Sequence, residues 1–142
     1  AAYLVTEEGA AFRKDALDLF FAALFREPPF AGAGELIKGA GESDGSKRSK
    51  ADPERALRLL EMWETMARDG LLIRLGEREI QNRDRLEQVQ KVAFSFTEAQ
   101  IQGIIDTLET AQRRVYQKAS PQLTLDAVIA QLLPLKESVW QK

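Results

Sequence analysis

The feature that most constrains this chain is the set Ile101, Ile104, Ile105, Leu108, Ala111 and Val115, apolar residues that recur with a helical period and without interruption. An α-helix stacks such positions on one face, whereas a strand would send them alternately to both. Directly upstream, Thr97-Glu98-Ala99-Gln100 has the capping-box form: the Thr hydroxyl can accept from a first-turn amide while the Gln side chain reaches back to the cap amide. The pattern predicts a long helix from Thr97. Lys118-Ala119-Ser120-Pro121 breaks it, and Leu125, Val128, Ile129 and Leu132 restart the period until Pro134. That proline is expected to stop the second helix and leave a short tail ending in Val139-Trp140.

The same reasoning places a first amphipathic helix over about Thr6 to Arg26, with Phe12, Ala16, Leu17, Phe20, Phe21 and Leu24 on its stripe and Pro28-Pro29 as its stop. A short helix is expected around Glu35-Leu36-Ile37-Lys38, and the Gly/Ser/Lys run from Gly39 to Lys50 predicts a flexible loop over about 39–51. Asp52-Pro53-Glu54 supplies an N-cap, a first-position proline and an acidic first turn, so a helix starts there and should reach Leu75 or Gly76. Its apolar residues, among them Leu57, Leu59, Leu60, Met62, Trp63, Met66 and Leu71 to Ile73, cover more than one narrow stripe, which predicts a central helix. Glu77 to Arg83 then leads to a short helix through Leu86, Val89, Val92 and Ala93, with Asn82 or Asp84 as its cap. No useful stretch alternates with period two. The expected fold is all-α, a single helical bundle of about five to six helices over residues 1–142.

Composition then removes most chemistry. With 44% hydrophobic and 30% charged residues in 142, the chain suits one domain with a modest core. It contains no Cys and no His, which excludes disulfides, thiol nucleophiles, Ser-His-Asp triads, zinc sites of the usual ligands and the Glu-x-x-His di-iron pattern. A formal charge of −2 offers no broad basic face for duplex nucleic acid. No apolar run approaches the roughly 20 residues that span a bilayer, which points to a cytoplasmic protein. The chain opens Ala1-Ala2-Tyr3 without an initiator Met, the expectation being a piece of a longer protein.

Several constellations have a simpler explanation than a site. Gly39 to Ser49 contains glycines, a lysine and hydroxyls, but Ser46 separates Gly45 from Lys47, so the phosphate-loop spacing is not met and a solvated linker is favoured. Lys47-Arg48-Ser49-Lys50 belongs to the same loop. The carboxylate pairs Glu61 with Glu64 and Glu7 with Glu8 fall on amphipathic helices, where such residues face water. Trp63 fits a core or interface anchor better than a ligand platform. Two patterns are harder to assign to packing. Arg68-Asp69 stands just before Gly70-Leu71-Leu72-Ile73, a helix end expected to be buried from more than one side. Gln112-Arg113-Arg114 stands just before a turn, where arginines can satisfy terminal carbonyls or fork onto a partner's carboxylates.

Trp63 to Gly76 with its Arg-Asp-x-Leu-Leu-Ile-Arg-Leu-Gly segment, Asn82-Arg83-Asp84, Gln112-Arg113-Arg114-Val115 and Ser120-Pro121-Gln122-Leu123-Thr124-Leu125-Asp126-Ala127 together resemble the C-terminal collar domain of the delta-prime subunit of the bacterial DNA polymerase III clamp loader. Phe12 to Leu19 is similar to the helix that opens that domain, so the resemblance covers nearly the whole chain. The gamma/tau subunit has a related collar domain and is the alternative. The family usually carries Asn-Pro where this chain has Ser120-Pro121. The resemblance implies an oligomerisation domain that follows an AAA+-type module and holds loader subunits together during DNA replication. It implies no catalysis, cofactor, metal or small-molecule substrate in this piece, with DNA contacted only through the complex. Its implied subunit contacts are Trp63, Arg68, Asp69, Arg113, Arg114, Gln122 and Asp126. Two other classes stand beside it. A generic helical adaptor would show a continuous hydrophobic groove, and an enzyme would need a convergent pocket of Asp, Glu, Lys or Tyr.

Overall fold

The computed structural model describes residues 7–25 and 52–140, with side chains over 8–25 and 52–132. Five α-helices and one 3-10 turn make up the described elements, with no strand among them: α1 (Glu7–Phe25), α2 (Pro53–Arg74), the turn Arg83–Arg85, α3 (Leu86–Ser95), α4 (Glu98–Tyr116) and α5 (Pro121–Trp140). The chain is thus the small all-helical bundle that its periodicity predicts. The helix expected at Glu35 to Lys38, the loop at 39–51 and the Pro28-Pro29 stop lie outside the described residues.

Asp52 opens α2 as its sequence dictates: the residue is extended and its carboxylate accepts from the Glu54 amide at 3.0 Å. Gly76, at φ +93°, closes it. The Gly76 amide donates to the Ile73 carbonyl at 3.0 Å and the Glu77 amide to that of Leu72 at 2.8 Å, the paired bonds of a Schellman motif. Between these caps α2 packs on α1, α3, α4 and α5, which explains why its buried residues occupy more than one stripe. Trp63 is wholly buried, its ring stacked on Phe20 of α1 with centroids 5.3 Å apart. Each such large apolar side chain contributes about 1.5–3 kcal/mol by leaving water. Gly70 sets how closely α3 approaches, because a Cβ there would stand 2.9 Å from Val92 Cγ1.

Polar bonds hold the remaining joints. Buried Asp69 of α2 accepts from the Gln81 amide at 3.0 Å, the Asn82 amide at 2.8 Å and Asn82 Nδ2 at 2.7 Å. Asn82 Oδ1 in turn accepts from Arg13 of α1 at 2.7 Å, and Arg13 also forks onto Asp84 at 2.8 and 2.9 Å. This chain of bonds fastens the α2–α3 connection to both α2 and α1. The hydrogen bond from Arg13 holds the Asp84 carboxyl below its ordinary value despite partial burial. A second bridge, Arg85 to Asp18 at 2.7 Å, ties α1 to the 3-10 turn.

Three expectations are corrected. Neither Asn82 nor Asp84 caps α3 through its side chain: the 3-10 turn Arg83–Arg85 leads into the helix, and the side chains of Asn82 and Asp84 are engaged by Asp69 and Arg13 instead. Pro134 does not end α5, which runs on to Trp140. A proline removes one helical bond and costs about 3 kcal/mol, but its fixed φ near −65° is itself helical. Finally, the C-terminal end of α2 is only partly covered, with Leu71, Leu72 and Ile73 half-buried and Leu75 exposed.

Candidate functional site

The α4 helix gives the bundle one inner and one outer face. Its capping box is complete, Thr97 Oγ1 accepting from the Gln100 amide at 3.1 Å and Gln100 Oε1 from the Thr97 amide at 2.8 Å. From that start Ile101, Ile104, Ile105, Leu108, Ala111 and Val115 all enter the core. The phase that buries them turns Arg113, Arg114 and Tyr116 outward.

The helix end decides how the two arginines can be used. Lys118 takes the left-handed conformation at φ +73°, its amide donating to the Val115 carbonyl at 3.0 Å while the Ala119 amide donates to that of Arg114 at 3.0 Å. The Gln117 amide serves the Arg113 carbonyl at 3.0 Å. Backbone amides thus satisfy the carbonyls of Arg113, Arg114 and Val115, and the guanidinium groups are not needed there. Among the described residues Arg113 donates to Thr110 Oγ1 at 3.4 Å, and neither Arg113 nor Arg114 has a carboxylate partner. On either side of the turn Tyr116 is 68% and Leu123 is 69% exposed. Gln122 and Asp126, on the first turns of α5, are joined by a 3.0 Å bond from Gln122 Nε2.

Between α4 and α5 lies a small groove of about 30 Å³. Thr107, Thr110 and Arg114 of α4 face Thr124 and Gln131 of α5 across a base of Ala111, Ala127 and Val128. Arg114 is the one charged residue in this lining.

A second polar cluster joins α2 to α4. Glu64 accepts from Gln112 at 2.7 Å and from Arg68 at 2.6 and 2.9 Å, and Arg68 extends to Glu109 at 2.6 Å. Burial would push the Glu64 carboxyl up, but the hydrogen bonds from Gln112 and Arg68 outweigh it and hold the group below its ordinary value. Glu64 is therefore an ion-pair hub, only 15% exposed where its helix face predicts solvent, while Glu61 does face water.

The expected contact residues separate into two groups. Arg113, Arg114, Gln122 and Asp126 sit together around the α4–α5 turn, on or near the surface. Arg68 is also exposed but already engaged by Glu64 and Glu109. Trp63 and Asp69, at 0% and 1% exposure, are inside the bundle and offer no surface to a partner. The indole finds its partner in the Ala16 carbonyl and the carboxylate in the backbone of 81–82, so both are spent on the fold. Among the described residues Tyr116 and Leu123 are the exposed large apolar residues of these two helices, a class the expected contacts include without naming either residue.

Among the described residues no group of His, Cys, Asp or Glu is arranged to hold a metal, and no helix is long and apolar enough to cross a membrane. Compared with known proteins, the chain matches no family model, no curated protein and no solved structure.

Proposed function

We propose that this domain is a protein-assembly module of the clamp-loader collar type, the delta-prime subunit being the first candidate and gamma/tau the alternative. One observation carries the proposal: the turn between α4 and α5 displays two arginines without carboxylate partners among the described residues, together with exposed Tyr116 and Leu123. Arginine and tyrosine are the residue types that protein interfaces concentrate, and arginine left unpaired on a free domain is available to a partner's carboxylates. The sequence resemblance falls on the same segment, Gln112 to Val115 and Ser120 to Ala127.

On this reading the domain binds other loader subunits in the bacterial cytoplasm and meets DNA only through the assembled loader. Heterologous contacts of that kind need the other subunits, so the isolated domain self-associates weakly or not at all. The groove beside these residues, between α4 and α5, is short and lined by three threonines, unlike the continuous apolar trough an adaptor would use.

The test is a pull-down against the purified clamp-loader subunits of the same organism, with Arg113→Glu/Arg114→Glu as the control. Capture of a loader subunit, weakened by the charge reversal, is expected. A well-folded domain that captures none of them would leave the generic adaptor as the better account.

A further inference from the structure

The geometry points to the α4–α5 groove as a socket for one acidic side chain of a protein partner, with Arg114 as the group that fixes it. This deepens the assembly reading and rests on it. The lining combines Arg114 with Thr107, Thr110, Thr124 and Gln131, beside Ala111, Ala127 and Val128. Arg114 is the one charge in this lining, and among the described residues no carboxylate pairs with it. A planar guanidinium matches a carboxylate in a forked pair, and flanking hydroxyls can donate to the remaining lone pairs.

Size and charge narrow the occupant further. A cavity of about 30 Å³ admits a group little larger than a water molecule, which suits the head of an Asp or Glu side chain. The formal charge of −2 on the whole chain argues against an extended polyanion as the occupant. Arg113, one residue away, supports the same charge preference from outside the groove.

The experiment is titration calorimetry of the folded chain with each purified clamp-loader subunit, using wild type, Arg114→Gln, Arg114→Lys and Thr110→Val. Circular dichroism of each variant checks that the helical content is unchanged. Binding should weaken about tenfold or more in Arg114→Gln, recover only in part in Arg114→Lys because the fork is lost, and weaken less in Thr110→Val. Equal binding by wild type and Arg114→Gln would overturn the socket while leaving the assembly reading intact. If no loader subunit binds wild type, both fall. A single-stranded oligonucleotide bound with the same Arg114 dependence would also overturn it, by placing phosphate where a carboxylate is proposed.

Discussion

Trp63 donates its indole N–H to the carbonyl oxygen of Ala16, 47 positions earlier in the chain, at 2.8 Å. Its ring lies against Phe20, one turn further along the same helix. Trp63→Phe should keep the stacking but lose the hydrogen bond and part of the volume, destabilising the domain by about 1–3 kcal/mol. Trp63→Ala should cost about 3–5 kcal/mol. Urea denaturation followed by circular dichroism measures both, and a neutral Trp63→Phe would show that the indole bond contributes nothing.

Asp69 is a buried acceptor for three donors, two of them backbone amides. Asp69→Asn turns a donor toward at least one of these and should destabilise by about 2–4 kcal/mol, with hydrogen exchange at Gln81 and Asn82 accelerated more than at α4. Uniform acceleration across the domain would assign the loss to global unfolding instead of to the α2–α3 connection.

Lys118 occupies a left-handed position where a side chain is strained, and its side chain is exposed. Lys118→Gly should raise stability by about 0.5–1 kcal/mol, because relief of the strain exceeds glycine's greater loss of chain entropy. A lower urea midpoint for Lys118→Gly would mean that the lysine makes a compensating contact.

Glu64 is held below its ordinary value, and its side chain is 15% exposed. A depressed carboxyl contributes stability that is present above its unfolded value of 4.5 and is lost as pH falls through the folded value. Asp84 and Asp18 act in the same direction: Arg13 lowers the first, and for Asp18 the bonds from Arg85 and Lys14 outweigh the effect of burial. Stability should therefore decline on acidification below about pH 4.5, the unfolded value. Glu64→Gln, less stable at neutral pH by about 1–2 kcal/mol, should show a shallower acid decline than wild type. Parallel decline of the two curves would remove Glu64 from the set of groups responsible.

What the sequence discloses here is what local physics decides. Asp52-Pro53 and the Thr97–Gln100 box act within one helical turn, and the Ile101 to Val115 stripe needs only the helical period, so the order of the residues is enough to reveal them. The joints are not legible in that way. Arg13 meets Asp84 across 71 positions and Asp69 meets Asn82 across a turn of unpredictable path, so no spacing rule exposes either pair. Trp63 and Asp69 illustrate the resulting error: a large aromatic and a carboxylate suit an interface and an interior equally, and only the neighbours decide between them. Phase alone turns Arg113 and Arg114 outward, yet whether they cap their own helix depends on the conformation of Lys118, which no spacing rule supplies.

The attachment of α1 has one more consequence. Phe12, Leu17, Phe20 and Leu24 are buried, Trp63 bonds its backbone, and Arg13 and Asp18 pair beyond position 80, so its docking depends on contact and not on which residue precedes α2. Among the described residues, α1 meets the rest of the bundle as a docked peptide would, through one buried face and two ion pairs. A labelled peptide of Glu7 to Phe25 should then bind in trans to a chain that lacks α1, with fluorescence anisotropy as the readout.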